Sequence, residues 1–264
     1  MTDQHRGIPG INPSVPHPAR IYDYLLGGKD NFPVDREAGE QVIAAIPNVR
    51  EMALENRRFL QRAVRFLAAE AGIRQFIDIG TGIPTQGNVH EVAQAVTPDA
   101  RVVYVDNDPI VHVHADALLA GNSTTIVLGD LRDPNAILNH PKVLKVIDFD
   151  RPVAVLLIAI LHFITDEEDA AGIVARLRDA MAPGSYLALS HFSQDFDPEA
   201  AKKTQKVYER AAAPSVPRTR AEVERLFDGF ELLEPKVVQI SRWRPDGGRD
   251  PIDVWGYAGV GRKP

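Results

Sequence analysis

The stretch R-Q-F-I-D-I-G-T-G-I-P-T, residues Arg74–Thr85, decides how this chain folds. Its first part, Gln75 to Ile79, is a short apolar run rich in β-forming residues, a pattern typical of a buried strand. Two glycines follow, Gly80 and Gly82, whose lack of a Cβ atom allows a sharp turn and a close approach to a ligand. A helical pattern with a capping-box spacing begins at Asn88. Strand, glycine turn and helix in this order predict the ligand-binding end of a doubly wound sheet.

The glycine pattern differs from that of dinucleotide-binding proteins. A G-x-G-x-x-G fingerprint that begins at Gly80 requires a third glycine where Thr85 stands. The chain instead carries Asp78 two residues before the first glycine, which gives the form D-x-G-x-G. This form is similar to the first motif of the class I methyltransferases, which bind S-adenosylmethionine. On its own it also suits an ordinary strand–turn–helix unit without a ligand.

The composition excludes several kinds of chemistry. The chain of 264 residues contains no cysteine, so disulfides, thiolate nucleophiles and Cys-based zinc or iron–sulfur sites are all ruled out. We predict no metal centre.

Hydrophobic residues make up 44% of the chain, which is enough for a full core. The net charge of −6 argues against a large contact with a nucleic-acid backbone, and we expect no nucleic-acid partner.

Two segments bear on location in the cell. Met1–Pro18 is polar and rich in proline, and it lacks the apolar centre of a signal peptide. The longest apolar run, Val153–Leu161, is far shorter than the roughly 20 residues that a membrane span requires. We therefore expect a cytoplasmic protein without a membrane partner. The sequence gives no indication of oligomeric state.

From residue 75 onward, apolar runs alternate with helical segments, which predicts βαβ units. We expect an α/β fold with a seven-stranded, mostly parallel, doubly wound sheet and an N-terminal helical cap. The strands are predicted at Gln75–Ile79, Arg101–Val105, Thr124–Leu128, Val153–Ile160, Tyr186–Ser190, Phe230–Ile240 and Val254–Val260. The chain divides into an extended arm (1–18), a helical cap or lid (19–72) and a Rossmann-like core (73–264). The cap either packs on the sheet as a plain helical hairpin or covers a ligand.

Acidic residues follow the second and third predicted strands. Asp106 comes 28 residues after Asp78, where a carboxylate can accept hydrogen bonds from both hydroxyls of an adenosine ribose. A dehydrogenase that binds NAD places an acid similarly, so Asp106 alone does not separate the two cofactors. Asp130 and Leu131 follow the third strand, where the carboxylate can accept from the adenine amine and the leucine can pack on the base. Taken alone, Asp130 suits a simple turn.

The end of the fourth strand lies beside the switch point of the predicted sheet, where ligands bind. Backbone carbonyls at Ala159 can hold the ammonium group of a methionine moiety. His162 is the first candidate for a general base, with His191 and Tyr22 as alternatives, and each histidine also fits a purely structural position.

Two arginines and three aromatic residues complete the candidate ligand contacts. Arg57 or Arg62, on the helix before the first strand, can reach a ligand carboxylate or lie on a solvated helix face. Phe192, Phe196 and Tyr208 belong to the predicted roof of the site. They suit either an apolar, planar acceptor or a packed lid.

In the order and spacing of these sites, the chain resembles the bacterial family named for its S-adenosylmethionine methyltransferase domain. The likeness covers nearly the whole chain and rests on A-R-I-Y-D-Y-L-L-G-G-K-D-N-F at 19–32, E-N-R-R-F-L at 55–60, F-I-D-I-G-T-G-I-P-T at 76–85, G-N-V-H-E-V-A at 87–93, V-Y-V-D-N-D-P at 103–109 and G-D-L at 129–131. The first of these stretches lies outside the general methyltransferase fold, which makes the match specific.

The resemblance implies S-adenosylmethionine as the cofactor, held by Asp78, Gly80, Thr81, Gly82, Asp106, Asn107, Asp130, Leu131, Ala159 and Arg57. It implies in-line methyl transfer, with His162 and Tyr22 as candidate catalytic residues.

The chain lacks an Asn/Asp-Pro-Pro-Tyr tetrapeptide after the fourth strand, which favours a small-molecule acceptor. The alternatives are a regulatory protein that binds the cofactor without catalysis and, less favoured, an NAD(P)-dependent oxidoreductase.

Overall fold

The computed structural model describes residues 11–84, 87–118, 123–247 and 250–264, with only the backbone described at 115–118. In these ranges the helices are α1 Pro18–Leu25, α2 Pro33–Ala45, α3 Val49–Ala69, α4 Val89–Val96, α5 Pro109–Leu118, α6 Pro134–Leu138, α7 Pro141–Val146, α8 Ala170–Ala180, α9 Pro198–Tyr208 and α10 Arg220–Arg225. The strands are β1 Gln75–Ile79, β2 Arg101–Asp106, β3 Thr124–Leu128, β4 Ala154–Ile158, β5 Tyr186–Phe192, β6 Glu231–Leu232, β7 Val238–Gln239 and β8 Gly256–Arg262. Two short 3₁₀ turns span Leu161–Phe163 and Ile240–Arg242.

The strands form one sheet in the order β3-β2-β1-β4-β5-β8-β6, and β7 also pairs with β8. β1 to β5 are parallel to one another, whereas β8 runs antiparallel to β5. The predicted α/β class with a mostly parallel, doubly wound sheet is therefore confirmed. The strand order reverses between β1 and β4, which places the switch point at their carboxyl ends.

One predicted strand is divided in two, so the sheet has eight described strands in place of seven. The run predicted at Phe230–Ile240 forms β6 and β7, separated by a turn. Pro235 has no N–H to donate to a ladder, and Lys236 adopts a φ of 65°, which is incompatible with an extended strand.

The central strands are covered on both faces. Side chains of β1 alternate between two cores, because Phe76 packs with α3 and α4 whereas Ile77 packs on the opposite face. Every residue of β4 is likewise buried. Burial on both faces explains the unbroken apolar sequence of β4.

A third apolar cluster joins the cap to the body. Ile21 and Leu25 of α1 and Val42 of α2 pack with Phe192 of β5 and Tyr208 of α9. α1 and α2 thus lie over the carboxyl end of the sheet, while α3 also contributes to the sheet core. The first part of the predicted arm, residues 1–10, lies outside the described residues. Among the described helices, none combines the length and the apolar character needed to cross a bilayer.

Candidate functional site

A cavity of about 1620 Å³, counted with its open mouth, lies at the carboxyl ends of the central strands and beneath the cap. All twelve predicted site residues line it: Tyr22, Arg57, Asp78, Gly80, Thr81, Gly82, Asp106, Asn107, Asp130, Leu131, Ala159 and His162.

The glycine turn after β1 forms the floor of this cavity. Gly80 has a φ of 74°, and a Cβ atom placed on it would lie 2.5 Å from Cγ1 of Ile160. Its backbone N–H donates to the carbonyl oxygen of Val105 on the neighbouring strand, at 2.8 Å. Any other side chain would collide with Ile160, so the turn needs glycine for both its dihedral angle and the space.

The carboxylate of Asp106, at the end of β2, is held by backbone donors. Oδ2 accepts from the N–H of Gly82 at 2.8 Å, and Oδ1 accepts from the N–H of Asp108 at 2.9 Å. Burial raises the pKa of Asp106 to about 6. Because each oxygen can accept a further hydrogen bond, the fixed carboxylate can also receive ligand hydroxyls.

The buried carboxylate of Asp78 lies beside this group. Its Oδ2 accepts from the hydroxyl of Thr81 at 2.9 Å. Burial raises the pKa of Asp78 to about 6, with the nearby Arg57 acting in the opposite direction. A cationic ligand group in the cavity would stabilise the ionised form.

Arg57 reaches the same region from α3. Its Nε is buried and has no hydrogen-bond partner among the described residues, while one terminal nitrogen lies 3.5 Å from Oδ1 of Asn88. The alternative candidate, Arg62, faces elsewhere: it donates to the carbonyl oxygens of Ile240 and Trp243. Arg57 therefore has donor capacity available for an anionic ligand group, and Arg62 does not line the cavity.

The ends of β2 and β3 are linked through Asp130. Its carboxylate accepts from Nε of Arg132 at 2.8 Å and from the amide of Asn107 at 3.1 Å. Burial opposes ionisation of Asp130, but the hydrogen bonds from Arg132 outweigh it and lower the pKa of the carboxyl. Sequence analysis missed Arg132, which directly follows the G-D-L stretch and also lines the cavity.

The start of the cap is held next to Asp106 by buried contacts to Asp108 that the sequence did not predict. Nε of Arg20, on α1, pairs with Oδ2 of Asp108 at 3.3 Å, and Nδ1 of His17, which accepts from the N–H of Ala19, lies 3.2 Å from the same oxygen. The backbone N–H of His17 donates to Asp35 at 2.9 Å. Burial is the main cause that lowers the pKa of His17. These contacts place His17 in the cavity wall beside the predicted adenosine contacts.

A chain of hydrogen bonds connects the cap with the end of β4. Ala159, whose φ is 56°, donates its N–H to Oγ of Ser190 at 3.0 Å. Ser190 donates to Oδ1 of Asn56 at 2.6 Å, and the Asn56 amide donates to the Tyr22 hydroxyl at 3.0 Å. Tyr22 in turn donates to the carbonyl oxygen of Ala53 at 3.0 Å. With its hydroxyl bonded on both sides and its pKa raised by burial, Tyr22 fits a structural role better than that of a base.

The two candidate histidines differ in their hydrogen bonds. His162 Nδ1 accepts from the N–H of Phe192 at 3.4 Å, so its proton is on Nε2. Burial, with smaller effects of His191 and Arg218, lowers the pKa of His162 well below its usual range. His191 has both nitrogens bonded, Nδ1 to the Phe192 carbonyl oxygen at 2.6 Å and Nε2 to Arg218 at 3.1 Å. Burial lowers the pKa of His191 to about 3.

The aromatic residues of the roof divide into two groups. Phe192 and Tyr208 line the cavity, and Phe163 packs against Tyr208 with ring centroids 5.1 Å apart. Phe196 does not line it and packs on Tyr257 at 5.2 Å. The interpretation of Phe196 as an acceptor contact is therefore wrong.

Comparison with known proteins identifies the family of this chain. The sequence model of the S-adenosyl methyltransferase family matches residues 4–264. The crystal structure of a candidate methyltransferase from Thermobifida fusca YX is similar, with 48% identity and a TM-score of 0.91 over 97% of both chains. A DUF574 family protein from Streptomyces avermitilis MA-4680 is similar, with 47% identity and a TM-score of 0.90 over 95% of this chain and 98% of that one.

A more distant structure shows the fold alone. Human N-acetylserotonin methyltransferase, solved in complex with SAM, has 14% identity and a TM-score of 0.51 over 92% of this chain and 62% of that one. No curated protein matches this chain. Because the family match spans nearly the whole chain and two structures of nearly half identity share its fold, this chain belongs to the S-adenosyl methyltransferase family, with the class I, Rossmann-like fold.

Proposed function

We propose that this protein transfers a methyl group from S-adenosylmethionine to a small-molecule acceptor. The observation that carries the proposal is the presence of three complementary groups in one cavity. Asp106 and Asp78 are buried carboxylates, and Arg57 is a half-buried cation whose buried Nε lacks a partner among the described residues. Such groups suit a ligand that brings hydroxyls, an ammonium group and a carboxylate.

The residues at the strand ends fit the parts of this cofactor. Asp106 would accept from the ribose hydroxyls, and Asp130 with Leu131 would hold the adenine. The carboxylate of the methionine moiety would bind Arg57, while its ammonium group would lie near Asp78 and the backbone of Ala159. When bound, S-adenosylmethionine supplies an activated methyl group on a sulfonium.

The residues of the protein would align the two bound reactants and exclude water from the space between them. Correct orientation of two bound reactants can contribute about 7–11 kcal/mol toward the barrier. α1, α2 and α9 enclose the side of the cavity away from the cofactor residues with buried apolar groups such as Leu25, Val42 and Tyr208. This enclosed apolar space supports an acceptor that is a small molecule.

Calorimetric titration of S-adenosylmethionine, S-adenosylhomocysteine and NAD into the purified protein tests the cofactor. We expect micromolar binding of the two adenosyl compounds and none of NAD, because the third glycine of a dinucleotide turn is replaced by Thr85. Binding of NAD alone would contradict the proposal. Tight binding of the adenosyl compounds without turnover of any acceptor in a broad metabolite screen would instead favour a regulatory protein.

A further inference from the structure

We give the name acceptor pocket to the part of the cavity that lies beneath the cap. Its walls are apolar side chains from α1, α2, α9, β5 and the turn after β4: Leu25, Val42, Ile46, Phe163, Phe192 and Tyr208. Phe163, Phe192 and Tyr208 present three aromatic rings. Aromatic walls favour flat aromatic ligands, through offset or edge contacts between rings.

The charged side chains of the cavity come from elements other than those that supply these apolar walls. The charged side chains in its described lining are Arg57, Asp78, Asp106, Asp130 and Arg132, which lie on α3 or at the ends of β1, β2 and β3. Among the described residues that line the cavity, none from α1, α2, α9 or the turn Leu161–Phe163 is charged. An ion in the acceptor pocket would lose hydration without a charged partner from these walls, so the pocket favours uncharged molecules.

Most polar groups near the acceptor pocket are already bonded within the protein. Tyr22, Asn56 and Ser190 bond to one another in a chain, and Thr204 donates to the carbonyl oxygen of Ala200 at 3.0 Å. The remaining groups are neutral: the hydroxyls of Tyr208 and Ser215 and the ring of His162. Tyr208 is 8% exposed, and its hydroxyl has no hydrogen-bond partner among the described residues. It is therefore available to a neutral heteroatom of a ligand.

None of these groups is suited to remove a proton from the acceptor. His162 uses Nδ1 to accept from Phe192, so Nε2 already carries the proton. Both nitrogens of His191 are bonded. Burial raises the pKa of the Tyr208 phenol, which keeps it protonated at neutral pH. Among the described side chains of the acceptor pocket, none is therefore placed to act as a general base.

From this geometry, and resting on the proposed methyltransferase function, we propose that the acceptor is an uncharged, planar aromatic compound methylated on a ring nitrogen that carries no proton. The nitrogen lone pair forms the new bond to the methyl carbon. The carbon–sulfur bond breaks with its electron pair left on sulfur, and the positive charge passes from sulfur to the ring nitrogen. No proton has to leave, so the lack of a base among the described side chains of the acceptor pocket is no obstacle.

Binding of simple probes tests the selection against charge. Quinoline, 2-naphthol and 2-naphthoate, which share a two-ring shape, are titrated into protein saturated with S-adenosylhomocysteine. We expect the two neutral probes to bind and naphthoate to bind at least about 100-fold more weakly. Failure of quinoline to bind, or naphthoate binding as tightly as quinoline, would overturn the inference. Failure of S-adenosylhomocysteine itself to bind would instead overturn the proposed function.

Transfer of a labelled methyl group tests the choice of nucleophile. Quinoline, isoquinoline and acridine are compared with 1-naphthol and 2-naphthol at neutral pH. Because a phenol must lose its proton and base catalysis is worth about 100- to 10,000-fold, we expect the nitrogen heterocycles to react at least about 100-fold faster. Equal or faster methylation of the naphthols, or methylation of neither class, would overturn this part of the inference.

A matched pair of roof variants locates the bound probe. Phe163→Ala removes an aromatic wall of the acceptor pocket, whereas Phe196→Ala removes a ring that packs outside it on Tyr257. We expect Phe163→Ala to weaken quinoline binding roughly 2- to 12-fold and Phe196→Ala to leave it unchanged. S-adenosylhomocysteine should bind both variants as it binds the original protein, which shows that each variant folds. Equal effects of the two variants on quinoline would contradict the assigned pocket.

Discussion

The backbone N–H of Gly82 donates a hydrogen bond of 2.8 Å to Oδ2 of Asp106. This bond joins the turn after β1 to the acid at the end of β2, although the two residues stand 24 positions apart. The carboxylate is therefore fixed before any ligand binds. Because the carboxylate is already held in place, little conformational entropy is lost when a ligand binds to it. Most of the energy of its hydrogen bonds can therefore contribute to affinity.

Replacement of Asp106 by alanine should weaken cofactor binding strongly. Loss of two hydrogen bonds to a charged acceptor, at about 1.5–3 kcal/mol each, should reduce the binding free energy of S-adenosylhomocysteine by about 3–6 kcal/mol, as measured by calorimetry. Asp99→Ala changes an exposed aspartate just before β2 and serves as the control. An unchanged affinity of the Asp106 variant would mean that the ribose is held elsewhere.

Cofactor binding should depend on pH because two carboxyls in the cavity have raised pKa values. Burial raises the pKa of both Asp78 and Asp106 to about 6, so below this pH the free protein holds them protonated. Binding favours their ionised forms, and protons must then be released. The affinity should rise with pH up to about 6, by up to about tenfold per unit for each carboxyl, and level off above it.

Titrations between pH 5 and 8, in buffers of different ionisation enthalpy, measure both the affinity and the number of protons released. Asp106→Asn should reduce the proton release at pH 5 by about one. A pH-independent affinity across this range would contradict the assignment of these two carboxyls to the cofactor site.

Arg57 should discriminate between ligands with and without a carboxylate. S-adenosylhomocysteine carries this group and 5′-methylthioadenosine does not. A hydrogen bond to a charged group is worth about 1.5–3 kcal/mol, so Arg57→Met should remove that much of the affinity difference between the two ligands. Arg65→Met, an exposed position on the same helix, is the control. If the affinity difference survives in the Arg57 variant, the carboxylate binds elsewhere.

Asn56 and Ser190 should be coupled in stability. Ser190 donates to Asn56 at 2.6 Å and accepts from the backbone of Ala159, so either truncation leaves buried polar groups without partners. Each single alanine variant should lower the free energy of unfolding by about 1–3 kcal/mol in a urea titration.

The double variant should cost less than the sum of the two single variants, because the second truncation removes a group that the first had left unpaired. Asn139→Ala, an exposed position, should change stability by less than about 0.5 kcal/mol. Simple additivity of Asn56→Ala and Ser190→Ala would show that the two side chains do not act as a unit.

Local patterns were sufficient to predict much of the fold. β1 and β3 have the predicted bounds, because each is a short apolar run that ends at a polar or glycine turn. Capping boxes form at Asn88 and Thr219 as their spacing indicates. These features depend on residues within a few positions of one another, where propensity and spacing carry the information.

Other features depend on contacts that spacing does not show. The spacing of Thr165 and Glu168 is typical of a capping box, but α8 begins at Ala170 with Asp169 as its N-cap, four residues after Thr165. Thr165 and Glu168 do bond to each other, but in a turn before the helix. Arg57 and Arg62 are indistinguishable by sequence pattern, and only packing shows which one faces the cavity.

The ion pairs around Asp108 illustrate the same limit. In sequence, Asp108 is a typical acid at the start of a helix, and its Oδ1 does accept from the N–H of Ile110. Its other oxygen pairs with Arg20 and lies 3.2 Å from His17, both about 90 residues away in the chain, and only the folded N-terminal segment brings them together. Cap and sheet thus meet through contacts that no local pattern encodes.

The central claim is that the carboxyl ends of β1, β2 and β3 bind S-adenosylmethionine. A crystal structure of the protein with S-adenosylhomocysteine tests it most directly. We predict the ribose hydroxyls on Asp106, the adenine between Asp130 and Leu131, and the carboxylate on Arg57. A ligand bound elsewhere, or one whose ribose does not touch Asp106, would contradict the claim.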